Sequence, residues 1–269
     1  MNNDPGFAYL ANKKEKYTFD DLCLLAALLR ADGGCPWDRE QTHKSIRKDI
    51  IEETYEVIEA IDKDDPYLMR EELGDLLWQV VFHAQLEKEE GRADIGDVIH
   101  DICAKLVHRH PHVFGEVIAD TSGEVLKNWE IIKNEEKSRN TVTSKLESVP
   151  PALPALMRAQ KVGKRAPFFD FSDSDSVLRK LDEEKIELIA AIEEGDKDHI
   201  IEEFGDLLFT AVSLARKLGI DAEESLTRAT EKFIKRFSVL EEEVNREHKD
   251  ITSLPMAELD EIWDRIKHK

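Results

Sequence analysis

Paired carboxylates one helical turn apart, repeated on a second helix, are the arrangement in this chain richest in chemistry. In residues 183–206, EEKIELIAAIEEGDKDHIIEEFGD, Glu184 and Glu187 are three apart, as are Glu203 and Asp206, so each pair projects from one helix face. Gly195 and Asp196 break the pattern midway, and an aspartate before a new periodic run is a good N-cap. The spacing predicts helix, tight turn, helix. In an antiparallel hairpin, residues equidistant from the turn face each other. Glu187 with Glu203, and Glu184 with Asp206, are both symmetric about position 195, roughly 10 Å from the turn at the rise of an α-helix. An earlier copy stands at an offset of 131 residues: Glu52, Glu53, Glu56, Glu72, Gly74 and Asp75 match Glu183, Glu184, Glu187, Glu203, Gly205 and Asp206. Asp65 matches Asp196 at the turn, followed there by Pro66 at the first helical position. A single ExxE is ordinarily a solvated helix face. The reappearance of the whole pattern, with Leu76-Leu77 returning as Leu207-Leu208, separates it from that reading.

All-oxygen ligation by carboxylates suits hard cations, Mg²⁺ above all and Mn²⁺ as a substitute. Di-iron bundles are the main rival, but they use Glu-x-x-His pairs, and the second members here are Glu56, Asp75, Glu187 and Asp206. Without metal, four carboxylates this close repel, and some take up protons. A divalent ion reverses that and lowers the pKa of a bound water, which suits hydrolysis of a phosphoanhydride. Phosphates left unneutralised need cations. Lys180 lies one turn before Glu184, and Lys232 and Arg236 form an i, i+4 pair further on; each is equally readable as a surface charge. Trp263 is a base-stacking candidate or a core residue. No GxxxxGK[ST] loop or GxGxxG turn occurs, which argues against a P-loop or Rossmann nucleotide site.

The elements that must position these groups read as helices throughout, with no strand alternation. Thr18 with Asp21 is a near capping box for a helix to 31, the hairpin helices span 45–61 and 66–88, and another runs over 94–108, with Pro111 as its stop. Thr121 and Glu124 cap the helix holding Trp129. Later helices are expected over 155–165, from 172 to 194, over 196–218, from Asp221 toward Asn245, and after Pro255. The polar, proline-rich segment 139–154 reads as a linker between an N-terminal domain, 1–138, and a C-terminal one, 155–269. Gly74 and Gly205 sit inside helices at about 1 kcal/mol relative to alanine, which points to close helix or ligand approach or to ordinary helix packing.

Composition narrows the partners. With 269 residues, 36% charged and 41% hydrophobic, the chain suits a helical globular protein, and a net charge of −20 opposes binding to nucleic acid or anionic membranes. Cys23, Cys35 and Cys103 are odd in number and widely spaced, without a disulfide pattern; a cytoplasmic setting is expected. The amino terminus has no signal-type apolar core, and the longest apolar run, 22–29, is too short to span a bilayer. His108, His110 and His112 with Cys103 match no standard zinc spacing, and Cys35 has no neighbouring base.

These motifs together resemble the MazG family of nucleoside triphosphate pyrophosphohydrolases, of the all-α NTP pyrophosphatase superfamily. The residues that carry the resemblance are EExxE then ExxD in both halves, GGCPWDREQTH before the first, HRHPHVFG after it and LPALMRAQKVGKRA between the halves. The resemblance covers nearly the whole chain. It implies an all-α fold of tandem helical-hairpin or four-helix domains completed by homodimerisation, and Mg²⁺-dependent hydrolysis of nucleoside triphosphates to the monophosphate and diphosphate. Metal ligands then fall on Glu184, Glu187, Glu203 and Asp206, and nucleotide contacts on Lys180, Glu183, Lys232, Arg236 and Trp263. The first half keeps Glu53, Glu56, Glu72 and Asp75, while Lys105, Arg109 and Trp129 match the later basic pair and tryptophan. It departs at Asp49, where the second half has Lys180; an acid there repels a triphosphate, so the main activity is expected in the C-terminal repeat. Glu183 or Glu184 is the expected general base. The alternative is a noncatalytic helical dimer that senses nucleotides or binds a partner.

Overall fold

The computed structural model describes residues 4–136 and 141–267. Among the described residues all regular structure is helical: α1 (Pro5–Asn12), α2 (Phe19–Arg30), α3 (Pro36–Glu40), α4 (Arg47–Lys63), α5 (Pro66–Glu89), α6 (Ile95–Arg109), α7 (Pro111–Phe114), α8 (Ser122–Glu136), α9 (Val142–Glu147), α10 (Ala155–Lys164), α11 (Ser174–Glu194), α12 (Lys197–Lys217), α13 (Ala222–Arg246) and α14 (Met256–Lys267), with a 3₁₀ turn at Ile251–Ser253. The chain divides into two compact units, Met1–Lys133 and Asn134–Lys269. Among the described residues no helix is long and apolar enough to cross a membrane.

In the N-terminal unit α4 and α5 form the hairpin that the first acidic repeat predicts. α2 packs on α5, and α1 and α3 pack on α2. The core joins Ile46, Phe82 and Leu86, with Trp78 edge-on to Phe82 at 5.4 Å between ring centroids. Arg30 forks onto Glu89, Nε to Oε1 at 2.9 Å and Nη2 to Oε2 at 2.8 Å, and ties the end of α2 to the end of α5. The Thr18–Asp21 capping box opens α2 as expected. Two helices lie outside the runs expected to be helical: α1, capped by Asp4 with Pro5 at its first position, and α3, which begins at Pro36. Both are short and start on a proline, which reads as a breaker until its N1 position is recognised. Pro111 likewise ends α6 and begins α7.

In the C-terminal unit α11 and α12 form the second hairpin. α10 packs against α12, and α13 pairs with α14 around Leu240, Val244, Ile262 and Ile266. The turns of the two hairpins solve one problem with different residues. Gly195 ends α11 in the left-handed region at φ 75°, and the matching Asp64 ends α4 at φ 51°. Aspartate is among the few side chains that tolerate that region. Asp65 and Asp196 then cap the following helices through the N–H groups of Tyr67 and Leu68, and of Asp198 and His199.

The stretch read as a linker, 139–154, contains α9, opened by a Thr141–Ser144 capping box. Val149 beyond it is buried, and Arg165 Nη1 donates to the Lys145 carbonyl at 2.6 Å. The expected boundary between 138 and 139 lies outside the described residues.

The loop after α10 is fastened by one partly buried ion cluster. Asp170, 9% exposed, accepts from Arg216 Nη1 at 2.7 Å and lies 2.8 Å from Lys217 Nζ at the end of α12. Hydrogen bonds from Arg216, joined by those from Lys217, hold its carboxyl well below the usual carboxylate range. A carboxylate whose pKa is depressed on folding stabilises the fold above its unfolded pKa, about 4, and loses that contribution as pH falls toward the folded value. Asp170→Asn is therefore expected to cost about 3 kcal/mol at pH 7 by leaving Arg216 unpaired. In urea titrations the gap between parent and variant should stay constant from about pH 7 to 5 and narrow below about pH 4; a gap that widens on acidification would contradict the assignment.

Candidate functional site

The two hairpins bring the predicted carboxylates together in the same way. In the C-terminal unit, Glu184 and Glu187 from α11 and Glu203 from α12 offer oxygens that all lie within 4.8 Å of one another; in the N-terminal unit, Glu53, Glu56 and Glu72 do the same. These are the two such groups among the described residues, so the histidines 108, 110 and 112 with Cys103 form none. Asp75 and Asp206 are exposed and stand outside both trios, so three of each expected four carboxylates converge. Asp206 lies one turn beyond Glu203, nearer the far end of the hairpin, with its side chain toward solvent.

Burial is uneven within each trio. Glu184 is 5% exposed and Glu72 is 8% exposed, each the anchored member of its group. In the N-terminal trio, desolvation, followed by repulsion from Glu56 and Asp75, pushes the Glu53 carboxyl up. Glu72 is raised by desolvation and by Glu56. That is the electrostatic signature of like charges confined together, and a hard divalent cation among them would relieve it. The donor set, carboxylate oxygens from two facing helices with no sulfur or imidazole inside the trio, fits Mg²⁺ or Mn²⁺.

The C-terminal trio is compensated from within the chain. Lys180 Nζ lies 3.1 Å from Glu184, 3.4 Å from Glu183 and 3.6 Å from Glu187, and the Glu184 carboxylate, chief among these partners, raises its pKa. From the opposite helix His199 Nε2 meets Glu203 at 3.2 Å, while its Nδ1 meets Glu194 at 3.1 Å; Glu194, then Glu203, raise the imidazole pKa. The sequence reading missed His199, although its place four residues before Glu203 on a helix was the available signal. Lys180 was anticipated by that same spacing.

Other predicted residues stand on different helices from the trio. Lys232 and Arg236 stand on α13 and Trp263 on α14, where Trp263 packs on Phe233 at 5.3 Å and against the Leu240–Ile262 core. Among the described residues no ion pair joins Lys232 or Arg236 to the carboxylates. Of their N-terminal counterparts, Lys105, Arg109 and Trp129, the last two meet directly: Arg109 lies over the Trp129 ring at 5.1 Å, and Lys133, outside that set, lies over the same ring at 4.5 Å. Gly74 and Gly205 are not close-packing sites, because a Cβ at either would meet nothing within 4 Å. The expectation of tight helix packing at these glycines is thus corrected, and open room remains beside Asp75 and Asp206.

Comparison with known proteins bears on the same segments. A family model described as the MazG nucleotide pyrophosphohydrolase domain matches residues 41–114 and 172–239, two stretches that contain both carboxylate sets, Lys180, Lys232 and Arg236. The chain is 43% identical over 257 residues to a nucleoside triphosphate pyrophosphohydrolase/pyrophosphatase MazG of Thermotoga maritima, covering 95% of this chain and 98% of that one. It is 43% identical over 252 residues to a nucleoside triphosphate pyrophosphohydrolase of Escherichia coli, covering 92% and 96% respectively. A nucleoside triphosphate pyrophosphohydrolase of Mycolicibacterium smegmatis is 41% identical over 145 residues, 53% of this chain and 44% of that protein.

Proposed function

Since the chain belongs to the MazG nucleotide pyrophosphohydrolase family, we propose that it hydrolyses nucleoside triphosphates to the monophosphate and diphosphate in a Mg²⁺-dependent reaction, chiefly in its C-terminal repeat. The observation that carries this reading is the convergence of Glu184, Glu187 and Glu203 beside Lys180, a ligand set and a phosphate-seeking ammonium one helical turn apart. Those three glutamates, with Asp206 at the solvent edge, would hold the cation. When bound, Mg²⁺ neutralises phosphate charge and lowers the pKa of a coordinated water. Glu184 is buried and fixed, which suits a ligand. Glu183 is exposed and lies 3.4 Å from Lys180; released from that ion pair, its carboxylate would orient a water and take its proton. Lys180, Lys232 and Arg236 supply positive charge for the phosphates, and the partly exposed Trp263 a face for the base. Attack is proposed at the α-phosphorus.

The N-terminal repeat keeps the carboxylates but has Asp49 where the C-terminal repeat has Lys180, and its Trp129 ring is in contact with two cations, Arg109 and Lys133. We assign it a structural, regulatory or weakly active part. The two units act as tandem domains, divided between Lys133 and Asn134. The three cysteines are free, in keeping with a cytoplasmic protein, and neither nucleic acid nor membrane is a proposed partner.

A homodimer is part of the same reading. The hairpins expose large apolar side chains: Ile186 is 66%, Ile201 60% and Phe204 52% exposed, and Tyr55 50% in the N-terminal hairpin. Uncovered apolar surface on this scale calls for a partner, and the open side of Gly205 leaves room for one. Sedimentation of the full chain at micromolar concentration is expected to give twice the mass of one chain, and Phe204→Asp is expected to shift it to monomer. A parent that sediments as monomer would refute the dimer.

Turnover tests the chemistry. Incubated with each NTP and dNTP plus Mg²⁺, the protein should release monophosphate and diphosphate, with ¹⁸O from labelled water in the monophosphate; label in the diphosphate would exclude α attack. Glu187→Gln should lower turnover by at least about 100-fold with helicity unchanged, and Glu56→Gln should lower it less. Equal losses would contradict the assignment of the repeats, and unhydrolysed nucleotide bound with measurable affinity would favour a sensor.

A further inference from the structure

The two carboxylate trios sit on matching scaffolds and differ in what surrounds them. In the C-terminal trio a primary ammonium, Lys180 Nζ, lies within 3.6 Å of Glu183, Glu184 and Glu187, two of which are members of the trio. His199 touches the third member, Glu203, at 3.2 Å, one turn away on the same helix. At the equivalent positions the N-terminal repeat has Asp49 and Leu68. Among the described residues no lysine or arginine forms an ion pair with Glu53, Glu56 or Glu72. The same ligand geometry is therefore met in one unit with an internal cation and in the other without one.

An ammonium that stands where a metal ion would draw its charge compensation is a competitor of that ion. We propose that Lys180 is a tethered counter-ion of the C-terminal cluster: in the nucleotide-free protein it holds the carboxylates together and weakens divalent-cation binding, and it leaves them for the substrate's phosphates when cation and polyphosphate arrive together. The proposal rests on the reading of Glu184, Glu187 and Glu203 as cation ligands. Its logic is a transfer of one charge between two partners. While Lys180 lies among the carboxylates, an incoming Mg²⁺ meets both the loss of those ion pairs and repulsion from the ammonium. A triphosphate offers Lys180 a new partner and removes both costs, so nucleotide and metal reinforce each other's binding. In the N-terminal trio the carboxylates carry their repulsion uncompensated, and no such coupling through a lysine is available.

Each close charge pair in a water-exposed setting amounts to a factor of about five in an equilibrium constant. The test is a Mn²⁺ titration without nucleotide, read by the electron paramagnetic resonance of free Mn²⁺, on the full chain carrying Glu56→Gln so that the C-terminal site is seen alone. In that background Lys180→Met should bind Mn²⁺ about fivefold or more tightly. Arg179→Met changes net charge equally at the neighbouring exposed position and should alter affinity less than about twofold, since a charge facing solvent is screened. Lys180→Arg should keep the weak affinity of the parent. If Glu187→Gln abolishes Mn²⁺ binding but Lys180→Met binds no more tightly than Arg179→Met, the counter-ion role is overturned and the metal site stands. If Glu187→Gln leaves Mn²⁺ binding intact, the metal reading itself falls, and the role of Lys180 with it.

Discussion

Like charges do not gather unless something else holds their backbones together. The carboxylates of Glu184, Glu187 and Glu203 lie within 4.8 Å of one another because α11 and α12 are locked antiparallel. The lock consists of a left-handed Gly195, an Asp196 N-cap and the packing of α10 against α12. Glu184 is almost fully buried, which in the absence of a cation is the least comfortable environment for a carboxylate. The hairpin thus stores an electrostatic demand, and its surroundings are arranged to meet it: Lys180 from the preceding turn of α11, His199 from the preceding turn of α12, and a hard divalent cation in the proposed working state. Removing the turn geometry would disperse the demand, and with it any reason to bind a cation there.

The repeat shows how one scaffold supports different electrostatics. Asp64 takes the left-handed position that Gly195 takes in the other hairpin, and Asp65 caps α5 as Asp196 caps α12, so backbone geometry is kept with different residues. The charges are not kept. Asp49 and Leu68 replace Lys180 and His199, and Glu53 and Glu72 are left with raised pKa values by desolvation and mutual repulsion. Trp129 lies under two cations, whereas Trp263 lies against Phe233. Divergence on this pattern changes the charges that would meet a substrate while the backbone geometry of the hairpin is kept.

The hairpins were legible because helical spacing and turn residues are local: i, i+3 pairs, symmetry about position 195, and an aspartate N-cap suffice to face Glu187 toward Glu203. The lysine beside Glu184 followed from the same rule. What escaped depends on other physics. The short helices α1 and α3 begin at prolines and have little periodicity to detect. The Asp170–Arg216–Lys217 cluster joins residues 46 apart in sequence, beyond the reach of any periodic rule. Asp206 satisfies the spacing and lies as far from the turn as Glu184, yet it is exposed and outside the trio, so helical spacing alone does not decide convergence. Gly74 and Gly205 were ambiguous in sequence. The empty space beside them removes packing within the chain as their explanation and leaves a ligand or a second chain.

The apolar faces of both hairpins, the open space at the glycines and the confined carboxylates are three aspects of one arrangement, in which a helix pair leaves its chemistry and its unburied surface to be completed from outside. The most direct test of the central idea is anomalous diffraction from crystals of the full chain grown with Mn²⁺ and a non-hydrolysable nucleoside triphosphate. The account predicts an anomalous peak ligated by Glu184, Glu187 and Glu203, with the Lys180 ammonium turned onto a phosphate. A well-ordered nucleotide with no anomalous density among those glutamates, and Lys180 still paired with Glu184, would contradict it.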